Sequence, residues 1–200
     1  MTADAVGGVW TYASTFCSVF SARGAEVHLV TIGPRPRSDQ RAELAGTDVH
    51  LIETDLALEW QDPEGADLPT ARRVLGEIER QVEPEIVHLN SFREVAFGWS
   101  APVVLVAHSC VNSWALACKD TAWLQHARWR HYTKRVAEGL DSADAWVCPS
   151  GAFGEVISEL YQPRARGRVI YNGIAAAPDF GHKEPFVLGA GRMWDRAKNL

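Results

Sequence analysis

No apolar run in this sequence approaches the ~20 residues needed to cross a bilayer; the longest, such as Val103-Val104-Leu105-Val106-Ala107, are strand-length. A soluble chain is expected. The first residues, Met1-Thr2-Ala3-Asp4-Ala5, lack the basic region and apolar stretch of a secretory signal, which makes a cytoplasmic address the default. Cysteine is scarce: Cys17, Cys110, Cys118 and Cys148 fall in no Cys-x-x-Cys or Cys/His ligand spacing, so free thiols are expected and no metal site. Charge bias is lacking too. Against 25 Asp and Glu stand 20 Lys and Arg, and the net charge of −5 supplies no sequence-wide attraction for nucleic acid or anionic lipid. Nucleic acid is therefore not an expected partner, and any phosphate must be held locally. What is present is ordinary globular material: 200 residues, 46% hydrophobic and 22% charged, enough for one large or two small domains.

Val9, Tyr12, Ala13, Phe16, Val19 and Phe20 recur at three- and four-residue spacing, predicting an amphipathic helix over about residues 8–23 with Gly24 as its stop. Glu26 to Ile32 reads as a strand closed by Gly33-Pro34, and Val49 to Ile52 as a shorter one. Residues 53–69 hold Pro63, Gly65 and Pro69 and read as a loop. A helix follows over 70–82, with Val74, Leu75, Ile78 and Val82 on one face. Further strands are expected at 86–89, 103–107, 145–148 and 168–171, and further helices over about 123–140 and 152–160, with Asn172-Gly173 as a turn. Strands apolar along their whole length, separated by helices, predict a doubly wound parallel α/β sheet covered on both faces. Only six residues precede Gly7-Gly8, so the opening strand is expected to be short or missing. The first domain is placed at 1–174 and a linker rich in Ala, Pro, Asp and Gly at 175–185. Residues 186–200, opening on Phe186-Val187-Leu188-Gly189-Ala190-Gly191, read as the incomplete start of a second domain that packs loosely on the first.

In open parallel sheets ligands bind beyond the carboxyl ends of the strands. The residues there are Gly7-Gly8, Gly33, His88-Leu89-Asn90, His108-Ser109, Pro149-Ser150, Asn172-Gly173 and Gly191-Arg192. Gly7-Gly8 before a helix points free N–H groups at an anion, or is a tight turn. Arg192 and Lys198 flank a strand-to-helix turn where Asp195 is placed to cap the next helix. A lysine in a first helical turn opposes the macrodipole, so Lys198 is either a diphosphate ligand or a solvated charge. His88 and Asn90 are candidates for acceptor contact, with a hydrogen-bonded rim histidine as the other reading. Trp10, Trp99 and Trp114 are better read as packing than as sugar-stacking platforms. Ser109 and Ser150 sit in no Gly-x-Ser-x-Gly elbow and are read as helix caps. His126, Arg128, Arg130, His131, Lys134 and Arg135 crowd one helix; a solvated basic face is the plain reading, and an anionic acceptor or a peripheral membrane contact the sharper one.

In order along the chain stand Gly7-Gly8-Val9-Trp10-Thr11-Tyr12, Gly24-Ala25-Glu26-Val27, Val106-Ala107-His108-Ser109, Pro149-Ser150, Ile170-Tyr171-Asn172-Gly173 and the stretch from Gly191-Arg192 to Lys198-Asn199. Together they resemble the landmarks of a family 4 glycosyltransferase. The resemblance implies the GT-B fold, two Rossmann-like domains facing across a cleft, with this sequence as the N-terminal domain and the start of the second. It implies transfer of a sugar from a nucleotide-sugar donor to an acceptor, here unknown, with retention of configuration and without a cofactor. By the same resemblance Gly7 and Gly8 lie beside the donor diphosphate, His108 is the catalytic candidate near the transferred sugar, and Arg192 with Lys198 clamps the departing diphosphate. The implied chemistry is a front-face displacement that needs no protein nucleophile. One departure is that the aspartate expected just past the Asn-Gly turn is absent, Ile174 being followed by Ala175. The paired glutamates and nucleoside-binding loops of the second domain do not occur in these 200 residues, so this chain alone is expected to be inactive. Two other readings stand beside it: a sugar-nucleotide epimerase, which would want carboxylates where this rim offers glycines and histidines, and a non-catalytic fragment or interaction module.

Overall fold

The structure, a computed structural model, describes residues 1–173, 185–189 and 193–196. Among the described residues seven short strands alternate with helices. In chain order they are β1 (Thr2–Asp4), α1 (Gly8–Ser21), β2 (Val27–Ile32), α2 (Ser38–Glu43), β3 (Val49–Glu53), α3 (Leu68–Val82) and β4 (Val87–Leu89). A 3-10 turn at Arg93–Phe97 leads to β5 (Val103–Val106) and α4 (Val111–Ala117). A second 3-10 turn at Ala122–Gln125 then precedes α5 (Ala127–Ser142), β6 (Ala145–Cys148), α6 (Gly151–Tyr161) and β7 (Arg168–Val169). Every registered pair is parallel, in blocks ordered β1-β2-β3 and β4-β5-β6-β7. The blocks meet where β4 comes up beside β1: the Asn90 side-chain amide, one residue past β4, donates to Thr2 O at 2.6 Å. Across both blocks the order is 3-2-1-4-5-6-7, a doubly wound, Rossmann-like sheet.

Alternation along each strand builds the core. Leu29 of β2 faces α1, where Trp10, Ala13 and Cys17 bury themselves with Ala3, Ala5 and Leu44. Its neighbour Val30 faces the other way, with Ile32, Leu56, Leu58 and the α3 residues Ala71 and Leu75. Under the second block Leu89, Leu105, Trp146 and Cys148 pack on Tyr132, Val136 and Leu140 of α5 and Ile157 of α6. Full burial of one such leucine stabilises the fold by roughly 1.5–3 kcal/mol.

Several elements differ from what the periodicity predicts. The aromatic stripe of α1 is not the face it buries: small residues, Ala13 and Cys17, lie against the sheet, while Val19 and Phe20 are exposed. Tyr12, Phe16 and Phe20 instead run along the flank, with Phe16 and Phe20 stacked at 4.4 Å. α2 has no apolar period; it is pinned by buried Gln40, which accepts from Arg37 N and donates to Ala5 O, both at 2.9 Å. The helical region near 123–140 is broken at His126, whose extended backbone and ring nitrogen cap α5. Cys110, not Ser109, caps α4, its sulfur accepting from Ser113 N, whereas Ser150 caps α6 as expected.

Beyond residue 173, Phe186, Val187 and Leu188 are exposed, Val187 completely. Asp195 is buried and accepts from the Trp114 indole at 3.2 Å, and Arg196 pairs with Asp120 at 3.6 Å. Arg192, Lys198 and nearly all of the predicted linker lie outside the described residues.

Candidate active site

The strand order reverses between β1 and β4, and a crevice at such a point is where doubly wound sheets bind ligands. Its floor is the turn from β1 into α1. Gly7 has φ 86° and ψ −146°, a conformation essentially reserved for glycine. A Cβ at Gly7 or Gly8 would meet nothing within 4 Å, so the backbone here faces open space. The first turn of α1 carries no acidic residue and no side-chain cap, which leaves its N–H groups available to an anion. Asp4, at the end of β1, braces the turn by accepting from Val6 N at 2.8 Å, and burial raises its carboxyl above the usual range.

The far side of the crevice is a cluster of rings. His88 lies in β4, His108 two residues past β5, and Tyr12 reaches both from α1, one turn beyond Gly8. The Tyr12 ring meets His108 edge-on at 4.7 Å between centroids, and its hydroxyl is 3.5 Å from His88 Nε2. Phe16 closes the other edge of His88 at 5.0 Å. Burial pushes the Tyr12 hydroxyl up to about 12.

Asn90 fixes the chemistry of His108. Thr2 O only accepts, so the amide nitrogen of Asn90 faces it and the amide oxygen faces His108 Nε2, at 2.8 Å. That assignment follows from the hydrogen-bond network and makes His108 the donor at Nε2. Burial lowers the His108 pKa to about 4, so the ring is neutral near pH 7 and Nδ1 carries the free lone pair. His88 is likewise lowered to about 4, by burial first and then by the charged amino terminus and His108. The rim thus offers hydrogen-bond acceptors rather than cations.

Of the residues singled out in the sequence, Gly7, Gly8, His88, Asn90 and His108 converge here. Trp10 is core, its indole bonded to Glu43 at 2.7 Å; Trp99 donates to Glu94 O, and Trp114 to Asp195. On α5, Arg135 clamps Pro63 O and Glu64 O, while Arg128, Arg130, His131 and Lys134 are exposed. Sequence reasoning missed Tyr12 as a rim residue, although its place four residues after Gly8 puts it above the turn on the same helix. It also missed a buried ionic brace. Arg93 pairs with Glu94 at 2.8 Å and Asp62 at 3.1 Å, and Glu59 accepts from Phe92 N and Arg93 N. Burial and the neighbouring Glu94 raise the Glu59 carboxyl. The brace fastens the long 54–67 loop to the turn after β4.

A cavity of about 440 Å³ opens between β3 and α3, lined among others by Thr54, Asp67, Thr70 and Glu77, and contains none of the rim residues. Among the described residues no helix is long and apolar enough to cross a membrane. A search of curated proteins finds no match to the chain. Comparison with protein families matches residues 6–177, from the Gly7-Gly8 turn to just past the Asn-Gly turn, to the family described as Glycosyltransferase Family 4. With 172 of the 200 residues inside that match, and with the rim landmarks in their expected order on a Rossmann-like sheet, the chain belongs to glycosyltransferase family 4.

Proposed function

We propose that the protein transfers a sugar from a nucleotide-sugar donor to an acceptor hydroxyl with retention of anomeric configuration. The observation that carries the reading is His108, a neutral ring locked as an acceptor at Nδ1 in the same crevice as an uncapped helix N-terminus. The two features suit the two halves of the donor. Free N–H groups at Gly7 and Gly8 match the diphosphate, and a neutral imidazole acceptor matches a sugar hydroxyl. His88 and Asn90, one bonded to Tyr12 and the other to His108, form the wall toward the acceptor. Arg192 and Lys198 complete the site in this reading, stabilising charge on the leaving diphosphate, which takes the acceptor proton as the new glycosidic bond forms on the same face.

The domain division at 174–186 belongs to this proposal, and the exposure of Phe186, Val187 and Leu188 supports it. Inactivity of a chain confined to residues 1–200 is a further part of the proposal, because holding two substrates between two walls is worth ~7–11 kcal/mol. A cytoplasmic address, with peripheral membrane contact through the exposed cations of α5, fits the same picture.

The test measures donor consumption by the protein over an acceptor panel, with residues 1–200 alone as one arm, and assigns the product anomer by NMR. Retention is expected, with His108→Ala, Arg192→Ala and Lys198→Ala each slowing turnover by ~10²–10³-fold. An inverted product, or wild-type turnover in all three variants, overturns the proposal.

A further inference from the structure

We infer that Glu26, His28 and His50 form a binding site for a divalent transition-metal ion of the zinc type, at the end of the sheet opposite the strand-end rim. Parallel pairing of β2 with β3 places His28 directly beside His50 in register, so both rings leave the same face of adjacent strands. The rings stack at 4.7 Å between centroids with 22° between planes. Glu26, two residues before His28 and therefore on the same side, brings Oε1 to 2.9 Å from His28 Nε2. One donor atom from each of the three lies within 4.8 Å of the others.

A four-coordinate zinc ion with bonds of ~2.0–2.2 Å sets its ligands about 3.3 Å apart. Reaching that spacing takes rotation of the exposed Glu26 side chain and of the two imidazoles about their side-chain bonds, while strand pairing holds the His28 and His50 backbones side by side. Two nitrogens and one carboxylate oxygen suit zinc and its first-row neighbours, whereas magnesium and calcium favour all-oxygen sets. Exposure at Glu26 and His50 leaves the fourth position to water. The ion would replace the Glu26–His28 hydrogen bond and tie β3, an edge of its three-stranded block, to β2. Nothing in the linear spacing shows this site, because the histidines stand 22 positions apart and only the strand register joins them.

The experiment is thermal denaturation of the metal-stripped 200-residue chain with zinc or magnesium, alongside cobalt absorption spectra. At a hundredfold excess over the dissociation constant, zinc is expected to raise the melting temperature by about 5–10 °C and magnesium to leave it unchanged. His28→Ala and His50→Ala remove the shift, and Glu26→Gln, which keeps the side-chain shape, reduces it. His131→Ala, elsewhere on the surface, retains it. Cobalt gives visible d–d bands without a thiolate charge-transfer band. An unshifted wild type, an undiminished shift in the two histidine variants, or a thiolate band assigning the metal to the cysteines overturns the inference.

Discussion

Gly7 and Gly8 are neighbours with different constraints. Gly7 needs its positive φ, so Gly7→Ala is expected to cost roughly 1–3 kcal/mol in urea denaturation even though its Cβ would meet no atom. Gly8 is helical and equally open. Gly8→Ala should leave stability within about 0.5 kcal/mol of wild type while weakening binding of a nucleotide-sugar donor. Equal stability of the two variants would remove the strained turn from the account. The rim histidines carry a pH signature. His88 is neutral in the fold with its pKa near 4, whereas an unfolded chain takes up the proton near ~6.5. The resulting stability is fully present above pH ~6.5 and is lost as pH falls toward 4, on the order of 3 kcal/mol for this residue. Glu59, raised by burial, works in the opposite sense and is common to wild type and variant. His88→Phe, which keeps the ring beside Phe16, is therefore expected to lose stability less steeply than wild type between pH 6.5 and 4.5. Parallel curves would show that His88 gains no neutral-state preference from the fold. At this scale the strand-end rule found the histidines and glycines, but the bond from Asn90 to Thr2 spans 88 residues and leaves no local trace.

Among the elements, α5 packs closely against the turn after β4. A Cβ at Gly139 would overlap the carbonyl oxygen of Phe92, and backbone on both sides leaves little room to yield. Gly139→Ala is expected to destabilise the fold by about 1–3 kcal/mol despite alanine's better helix propensity, read as a lower melting temperature; an unchanged or higher value would contradict the packing described here. The same elements show what periodicity can and cannot reveal. α1, α3 and α6 are legible because their apolar spacing is sustained. α4 is not, since Val111-Asn112-Ser113-Trp114 offers no period and its cap is a cysteine, an unusual choice. In α1 the helix was legible but its buried face was not, because packing turned Trp10, Ala13 and Cys17 inward and left Tyr12, Phe16 and Phe20 along the flank. Those displaced aromatics now line the approach to His88.

For the whole molecule, alternating apolar strands and helices were enough to read a doubly wound sheet, and the strand order places its switch point at the β1–β4 junction. That junction is where Gly7, Gly8, His88, Asn90 and His108 come together, although they are scattered from Gly7 to His108 in the chain. The central claim is that this crevice receives the donor, with sugar against His108 and diphosphate over the Gly7-Gly8 turn. The most direct measurement is a crystal structure of the protein with an unreactive nucleotide-sugar analogue. The account predicts a sugar hydroxyl within hydrogen-bonding distance of His108 Nδ1 and phosphate oxygens at the N–H groups opening α1. A donor bound with both His108 and the Gly7-Gly8 turn out of contact would contradict it.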